Sequence, residues 1–209
     1  MLEYNKIDTV FNRDTQGTKK LIEGDYRDKT VEYLANNIWQ WTEKIDGTNI
    51  RVHWDGHKVE FAGRTDKAQI PAHLLSRLEE LFSGNENEEM FEQMFGEREV
   101  FLFGEGYGPK IQNGGSYRDT VDFILFDIMI NGNYQPRETI VEIAKSFNID
   151  VVPVIFEGTI EEAVNFVKTK PKSTFGTANM EGVVGRPLVE LKDRTGHRLI
   201  VKVKVCDFT

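Results

Sequence analysis

The sequence predicts an α+β fold with largely antiparallel sheets and flanking helices. Two observations carry this. Strand hairpins come first, and a mixture of strands and helices follows them without regular alternation. The apolar residues also switch from a period of two to a period near 3.6 between one segment and the next.

The elements follow in order. Residues 49–62 read as a hairpin: Ile50, Val52 and Trp54 alternate with Arg51 and His53, Asp55-Gly56 is a two-residue turn, and "HKVEFA" returns. In "PAHLLSRLEELFSG" (71–84), Leu74, Leu75, Leu78, Leu81 and Phe82 line one helical face, and Gly84 ends the helix. "EEMFEQMFG" (88–96) is a second short helix. "VFLFGEGYG" (100–108) and "VDFILFDIMI" (121–130) are apolar strands, and "RETIVEIAKSFN" (137–148) is helical. "VVPVIF" (151–156) reads as one strand. "TIEEAVNFVKTK" (159–170) is a helix with Thr159 and Glu162 placed as a capping box. "EGVVGRPL" (181–188) and "RLIVKVKVCDF" (198–208) close the chain as strands.

With 209 residues the chain is long enough for one fully cored domain, or for one domain with a small appendage. No internal repeat or low-complexity linker interrupts it, so residues 1–209 are expected to form a single domain. No apolar run reaches the ~20 residues of a membrane helix, and the N-terminus has no signal-peptide core. A lone cysteine, Cys206, leaves no internal disulfide. The expectation is a soluble, intracellular and cytoplasmic protein. The net charge of −8 is a poor global footprint for nucleic acid, so any such contact needs a local basic patch. Four histidines without paired ligand spacing speak against a structural zinc site.

Candidate chemistry starts in "WTEKIDGTNIRV" (41–52), where a strand gives way to Glu43, Lys44, Asp46, Gly47 and Asn49. One reading is a polar surface turn. The other is a lysine nucleophile, which must be neutral to attack and so needs neighbouring positive charge or burial. In "VKVKV" (201–205) the valines share one strand face and Lys202 and Lys204 the other, with roughly 7 Å of rise between them. They form either a phosphate clamp or a solvated face. "FGEGYG" (103–108) looks like a phosphate loop, but Glu105 would repel an anion. A plain turn is one explanation. Close backbone approach to a ligand, with Glu105 accepting from hydroxyls such as a ribose, is the other. Phe126 is a core aromatic or a stacking surface for a base, and Glu181 is an exposed carboxylate or a magnesium ligand.

Six of these segments occur in a specific order: "EKIDGTN" (43–49), "GRT" (63–65), "FGEGYG" (103–108), "DFILFDI" (122–128), "MEGVVGRP" (180–187) and "LIVKVKVCDF" (199–208). That series resembles the nucleotidyltransferase motifs of covalent ligases and capping enzymes, and most of all the RNA-ligase-2-like branch. The resemblance spans residues 38–208. It implies the ligase adenylation fold and an ATP-dependent RNA ligase. Lys44 would attack the α-phosphate of ATP to give lysyl-AMP, AMP would pass to a 5′-phosphate end, and a 3′-hydroxyl would displace it.

By the same resemblance Arg64 and Asn49 contact the nucleotide sugar or phosphate, Glu105 holds the ribose hydroxyls, Phe126 stacks on adenine and Glu43 reads its amino group. Lys202 and Lys204 hold the α-phosphate, and Glu181 assists Mg²⁺, or Mn²⁺ in its place. Lys67, Lys110, Arg118 and Arg186 are candidate contacts to the RNA, including a nicked duplex. Asp46 stands where this branch commonly has histidine and where DNA ligases and capping enzymes have aspartate. A DNA ligase, a GTP-using capping-type transferase and a nucleotide-binding protein without turnover are therefore the alternatives. The resemblance also implies a C-terminal helical or OB domain, whereas five residues follow Lys204 here. A partner protein standing in for that domain is expected.

Overall fold

A computed structural model describes residues 1–208. The chain divides into two compact units. The terminal unit comprises Lys6–Ile45 and the chain from Pro153 onward, and the central unit comprises Met1–Asn5 and Asp46–Val152.

The chain enters the terminal unit through β1 (Asp8–Thr9), β2 (Phe11–Arg13), β3 (Leu21–Tyr26), α1 (Lys29–Tyr33) and β4 (Trp39–Lys44). None of the first four is evident in the sequence, because such short strands and a five-residue helix show no clear period. In the central unit follow β5 (Thr48–Trp54), β6 (Val59–Ala62), α2 (Ala72–Phe82), α3 (Asn85–Phe95), β7 (Val100–Tyr107), β8 (Asp122–Ile130), β9 (Asn133–Tyr134), α4 (Arg137–Ser146) and β10 (Asp150–Val151). The chain then returns through β11 (Val154–Gly158), α5 (Ile160–Lys168), β12 (Gly182–Pro187) and β13 (Val201–Lys204). Among the described residues no helix is long and apolar enough to cross a membrane.

Three expectations are corrected. The single strand at 151–156 is two strands, one in each unit. Pro153 separates them. It has no N–H to extend the ladder of β10, and its carbonyl instead accepts from the Glu43 amide at 3.0 Å. The final strand is shorter than 198–208: it ends at Lys204, where the Val205 amide turns to the Glu181 carbonyl at 2.9 Å, and a turn of 3-10 helix follows. The β5–β6 connection spans Asp55–Lys58 rather than two residues. The Asp55 carboxylate accepts from the amides of His57 and Lys58 at 2.8 and 2.9 Å, which closes the longer loop.

The terminal unit carries a five-stranded sheet in the order β1-β13-β12-β4-β11. Only the β1–β13 pair is parallel. Its core face holds Trp39, Trp41, Val183, Val201 and Val203, packed with Ile160, Ala163, Val164 and Val167 of α5. The Trp41 ring occupies the space where a side chain at 185 would stand, so Gly185 is required beneath it. The expected capping box is present. Thr159 Oγ1 accepts from the Glu162 amide at 3.2 Å, and the Glu162 carboxylate accepts from the Thr159 amide at 2.7 Å.

The central unit's sheet runs β10-β8-β7-β5-β6, with β9 added on β8. One face packs on α2–α4 through Ile50, Val52, Leu102, Leu125, Leu74, Leu78 and Ile140, among others. The opposite face carries a smaller hydrophobic cluster of Phe101, Phe103 and Met129, against which the aromatic rings of Tyr4, Phe126 and Tyr134 pack.

Candidate active site

Strand pairing in the terminal unit lines up the lysines. Gly182 of β12 pairs with Lys44 of β4 on one side and with Lys204 of β13 on the other. Directly opposed residues share a face, so the three form one row. The next row is Thr42, Val184 and Lys202. This is the face opposite Trp39 and Trp41, which explains why polar residues can fill it. Gly182 has no side chain to part the row, and a Cβ there would strike the Val203 carbonyl oxygen.

Glu181 joins the row. Its two carboxylate oxygens take one lysine each: Lys44 Nζ lies 2.6 Å from Oε2 and Lys204 Nζ 2.9 Å from Oε1. All three side chains are largely covered but reach solvent. Burial alone would push the Lys204 ammonium down, but the hydrogen bond and charge of Glu181 outweigh it and leave the group above its ordinary value. Lys202 stands one row along on the same face and pairs with Thr9 of β1.

Glu43 is on the other face of β4. It is 1% exposed. Its carboxylate accepts from Ser173 Oγ at 2.5 Å, from the Thr174 amide at 3.0 Å and from Thr174 Oγ1 at 2.5 Å. Sequence reasoning missed Ser173 and Thr174. They lie in a polar segment with no period, and only the partner across the fold reveals their use.

In the central unit Asn49 of β5 is paired with Glu105 of β7, so the two side chains share a sheet face. Asn49 Oδ1 is buried and has no hydrogen-bond partner. A buried acceptor left empty costs free energy and marks where a donor can be received. Phe126 sits at a bulge: Phe103 opposes Asp127 and Gly104 opposes Leu125, which leaves Phe126 as the extra residue of β8. The bulge turns Phe126 toward the hydrophobic cluster of that face, where the Tyr4 ring meets it edge-on at 5.1 Å. Arg64 lies exposed in the turn after β6. Asp46 accepts from Asn113 Nδ2 at 2.8 Å, and its amide donates to Tyr117 Oη at 3.2 Å.

Of the candidate RNA contacts, Lys67, Lys110 and Arg118 belong to the central unit and Arg186 to the terminal unit. Lys67 and Lys110 are exposed, the latter with a left-handed backbone at φ 65°. Arg118 is half-buried. It pairs with Asp122 at 2.6 Å and lies over the Tyr107 ring. Arg186 follows on β12, opposite Gln40.

Among the described residues no cluster of three or more His, Cys, Asp or Glu side chains could hold a metal by itself. Glu181 is a hard oxygen donor, and magnesium commonly binds through one or two carboxylates together with phosphate oxygens and water. The donor set therefore fits a divalent ion that arrives with a nucleotide's phosphates.

The fold has known counterparts. No curated protein matches the chain. Among solved structures it is similar to a lysine-to-methionine mutant of Naegleria gruberi RNA ligase with AMP and Mn, at TM-score 0.65 and 18% identity over 95% of this chain and 60% of that one. A lysine-to-alanine mutant of the Naegleria gruberi enzyme with ATP and Mn gives TM-score 0.63 at 18% identity, over 96% and 61%. The same enzyme with PPi gives 0.62 at 19%, over 96% and 61%. The chain thus spans about 60% of the length of these structures. Residues 37–204 match the family model for RNA ligase, and the chain is a member of the RNA ligase family.

Proposed function

We propose that the chain is the nucleotidyltransferase module of an ATP-dependent RNA ligase, with Lys44 as the covalent nucleophile. The observation that carries this is the Lys44–Glu181–Lys204 arrangement, two lysines held to one carboxylate in a single strand row. In the resting protein Lys44 Nζ lies 2.6 Å from Glu181 Oε2. For attack, Nζ gives a proton to water and forms an N–P bond to the α-phosphate as the bond to pyrophosphate breaks; pyrophosphate leaves, and the new phosphoramidate nitrogen gives its second proton to water. Lys204 and Lys202 then neutralise charge developing on the phosphoryl oxygens. Asn49, Arg64, Glu105 and Phe126 are the proposed nucleoside and sugar-phosphate contacts, and the empty acceptor of Asn49 supports a donor arriving there.

Glu43 is already engaged by three donors, so on this reading it acts through the Ser173–Thr174 segment as much as on the base. Glu181 would hold the divalent ion, magnesium or manganese, which supplies charge neutralisation at the phosphates. Transfer of AMP to a 5′-phosphate end and displacement by a 3′-hydroxyl complete the proposed sealing of RNA.

The test is incubation of the pure chain with ATP or GTP labelled on the α-phosphate, followed by a denaturing gel. A protein-bound label from ATP that is lost in Lys44→Ala supports the reading. A label from GTP alone favours capping chemistry, and no label from either sinks both.

A further inference from the structure

Arg51 is fully buried in the middle of a β-strand, yet no mechanism above uses it. A buried guanidinium is costly unless its donors are satisfied. Here Nε donates to the Gly63 carbonyl at 2.7 Å and Nη2 to Asp66 Oδ1 at 2.8 Å. Nη1 donates to the carbonyls of Met1 and Leu2 at 3.0 and 2.8 Å. None of these acceptors is in the sheet. Two belong to the first residues of the chain and two to the turn after β6. Gly63 and Asp66 bracket Arg64, so the turn that presents this exposed arginine is held on both sides.

The same N-terminal segment reaches Phe126. Tyr4 packs on Phe103 at 4.8 Å and edge-on against Phe126 at 5.1 Å. Its hydroxyl donates to Asp127 Oδ2 at 2.9 Å, and Asp127 is itself fully buried. One short segment is therefore tied at one end to the Arg64 turn and at the other to the bulge that aims Phe126.

We propose that Met1–Asn5, locked by Arg51, is a strap across the aromatic face of the central sheet that sets the positions of Arg64 and Phe126 for nucleotide binding. Arg51 and Tyr4 are then positioning residues. The proposal rests on the ligase reading for its nucleotide, but the strap's hold on the turn stands on geometry alone. Arginine is needed at 51 because a single planar fork serves acceptors in two chain segments, which a lysine ammonium cannot do. A residue that only stabilised the core would lower the melting temperature and leave nucleotide affinity unchanged.

The test uses the full chain with Arg51→Lys and Tyr4→Ala, each well below its melting temperature. Native trypsin cleavage after Arg64 is expected to rise about tenfold in Arg51→Lys, since the turn opens locally. In adenylylation both variants are expected to raise the KM for ATP about tenfold with little change in kcat, because orientation is lost and chemistry is not. The Arg51→Lys effect should vanish in an Arg64→Ala background, and that of Tyr4→Ala in a Phe126→Ala background. Unchanged cleavage after Arg64, or KM effects that add in full to those backgrounds, would overturn the strap. If Arg51→Lys does not fold, Tyr4→Ala decides by the same measurements. If the wild-type chain forms no adduct, the ligase reading fails while the cleavage result still decides whether the strap holds the turn.

Discussion

Lys44 Nζ lies 2.6 Å from Glu181 Oε2, so the proposed nucleophile rests as half of an ion pair. Charge and reactivity at this lysine can therefore be separated by substitution. Lys44→Arg keeps a cation for Glu181 but offers no nucleophile, because a guanidinium stays protonated. The melting temperature of Lys44→Arg is expected to stay near wild type, while the ATP adduct falls below detection. Lys44→Ala should lose both the adduct and some stability. An alkali-stable AMP label that persists on the Lys44→Arg variant would place the covalent site elsewhere.

The second carboxylate oxygen gives a pH prediction. Glu181 raises Lys204 above its ordinary value of 10.5 despite burial. A raised cationic group contributes stability that is fully present below the unfolded value and is lost as pH rises through the higher folded one. Lys204→Met should therefore cost about 1 kcal/mol, a modest figure because the pair is partly solvated. The cost should be constant from about pH 6 to about pH 9 and shrink only in strong alkali. Chemical denaturation of both proteins across that range measures it. A cost that disappears at neutral pH would contradict the assignment.

Gly182 is required on steric grounds. A Cβ there meets the Val203 carbonyl oxygen, which is backbone and cannot swing aside. Gly182→Ala is expected to destabilise the protein by about 3 kcal/mol, at the upper end of overpacking costs, and to lower adduct formation because β12 and β13 are forced apart. A thermal melt and an adduct assay on the same sample would show whether both fall together.

Glu43 offers a fourth test. Its carboxylate satisfies donors from Ser173 and Thr174 with the side chain almost fully buried. Glu43→Ala strands those donors and should cost about 2–3 kcal/mol, whereas Ser173→Ala should cost about 1 kcal/mol. Proteolysis of the 171–180 segment is expected to accelerate in Glu43→Ala, and an unchanged digestion pattern would show that the segment is held by other contacts.

Much of this is legible in the chain itself. Residues 48–54, 100–107 and 122–130 are long strands with strong apolar patterns, so their existence is readable. So is α5, because Thr159 and Glu162 mark its start chemically. Lys44, Glu181 and Lys204 each stand out in the sequence, but their meeting does not, since strand register decides it and register is a property of three segments far apart along the chain. Pro153 is visible but reads as part of a strand, because its second role, accepting from Glu43, depends on the other unit of structure to which the chain returns. Arg51 is the deepest omission. It reads as the polar partner in an alternating strand, whereas residues 1–5, which show no periodicity, turn its face inward.

The strand order of the terminal unit has a consequence for synthesis. β1 pairs with β13, and β4 pairs with β12, so the earliest strands of that sheet wait for the last ones. Such non-local pairings form late, after long loops have closed. During translation the row that holds Lys44 stays unbuilt until Lys204 has cleared the ribosome. An interrupted nascent chain thus carries Lys44 but not the row that Gly182 and Lys204 complete.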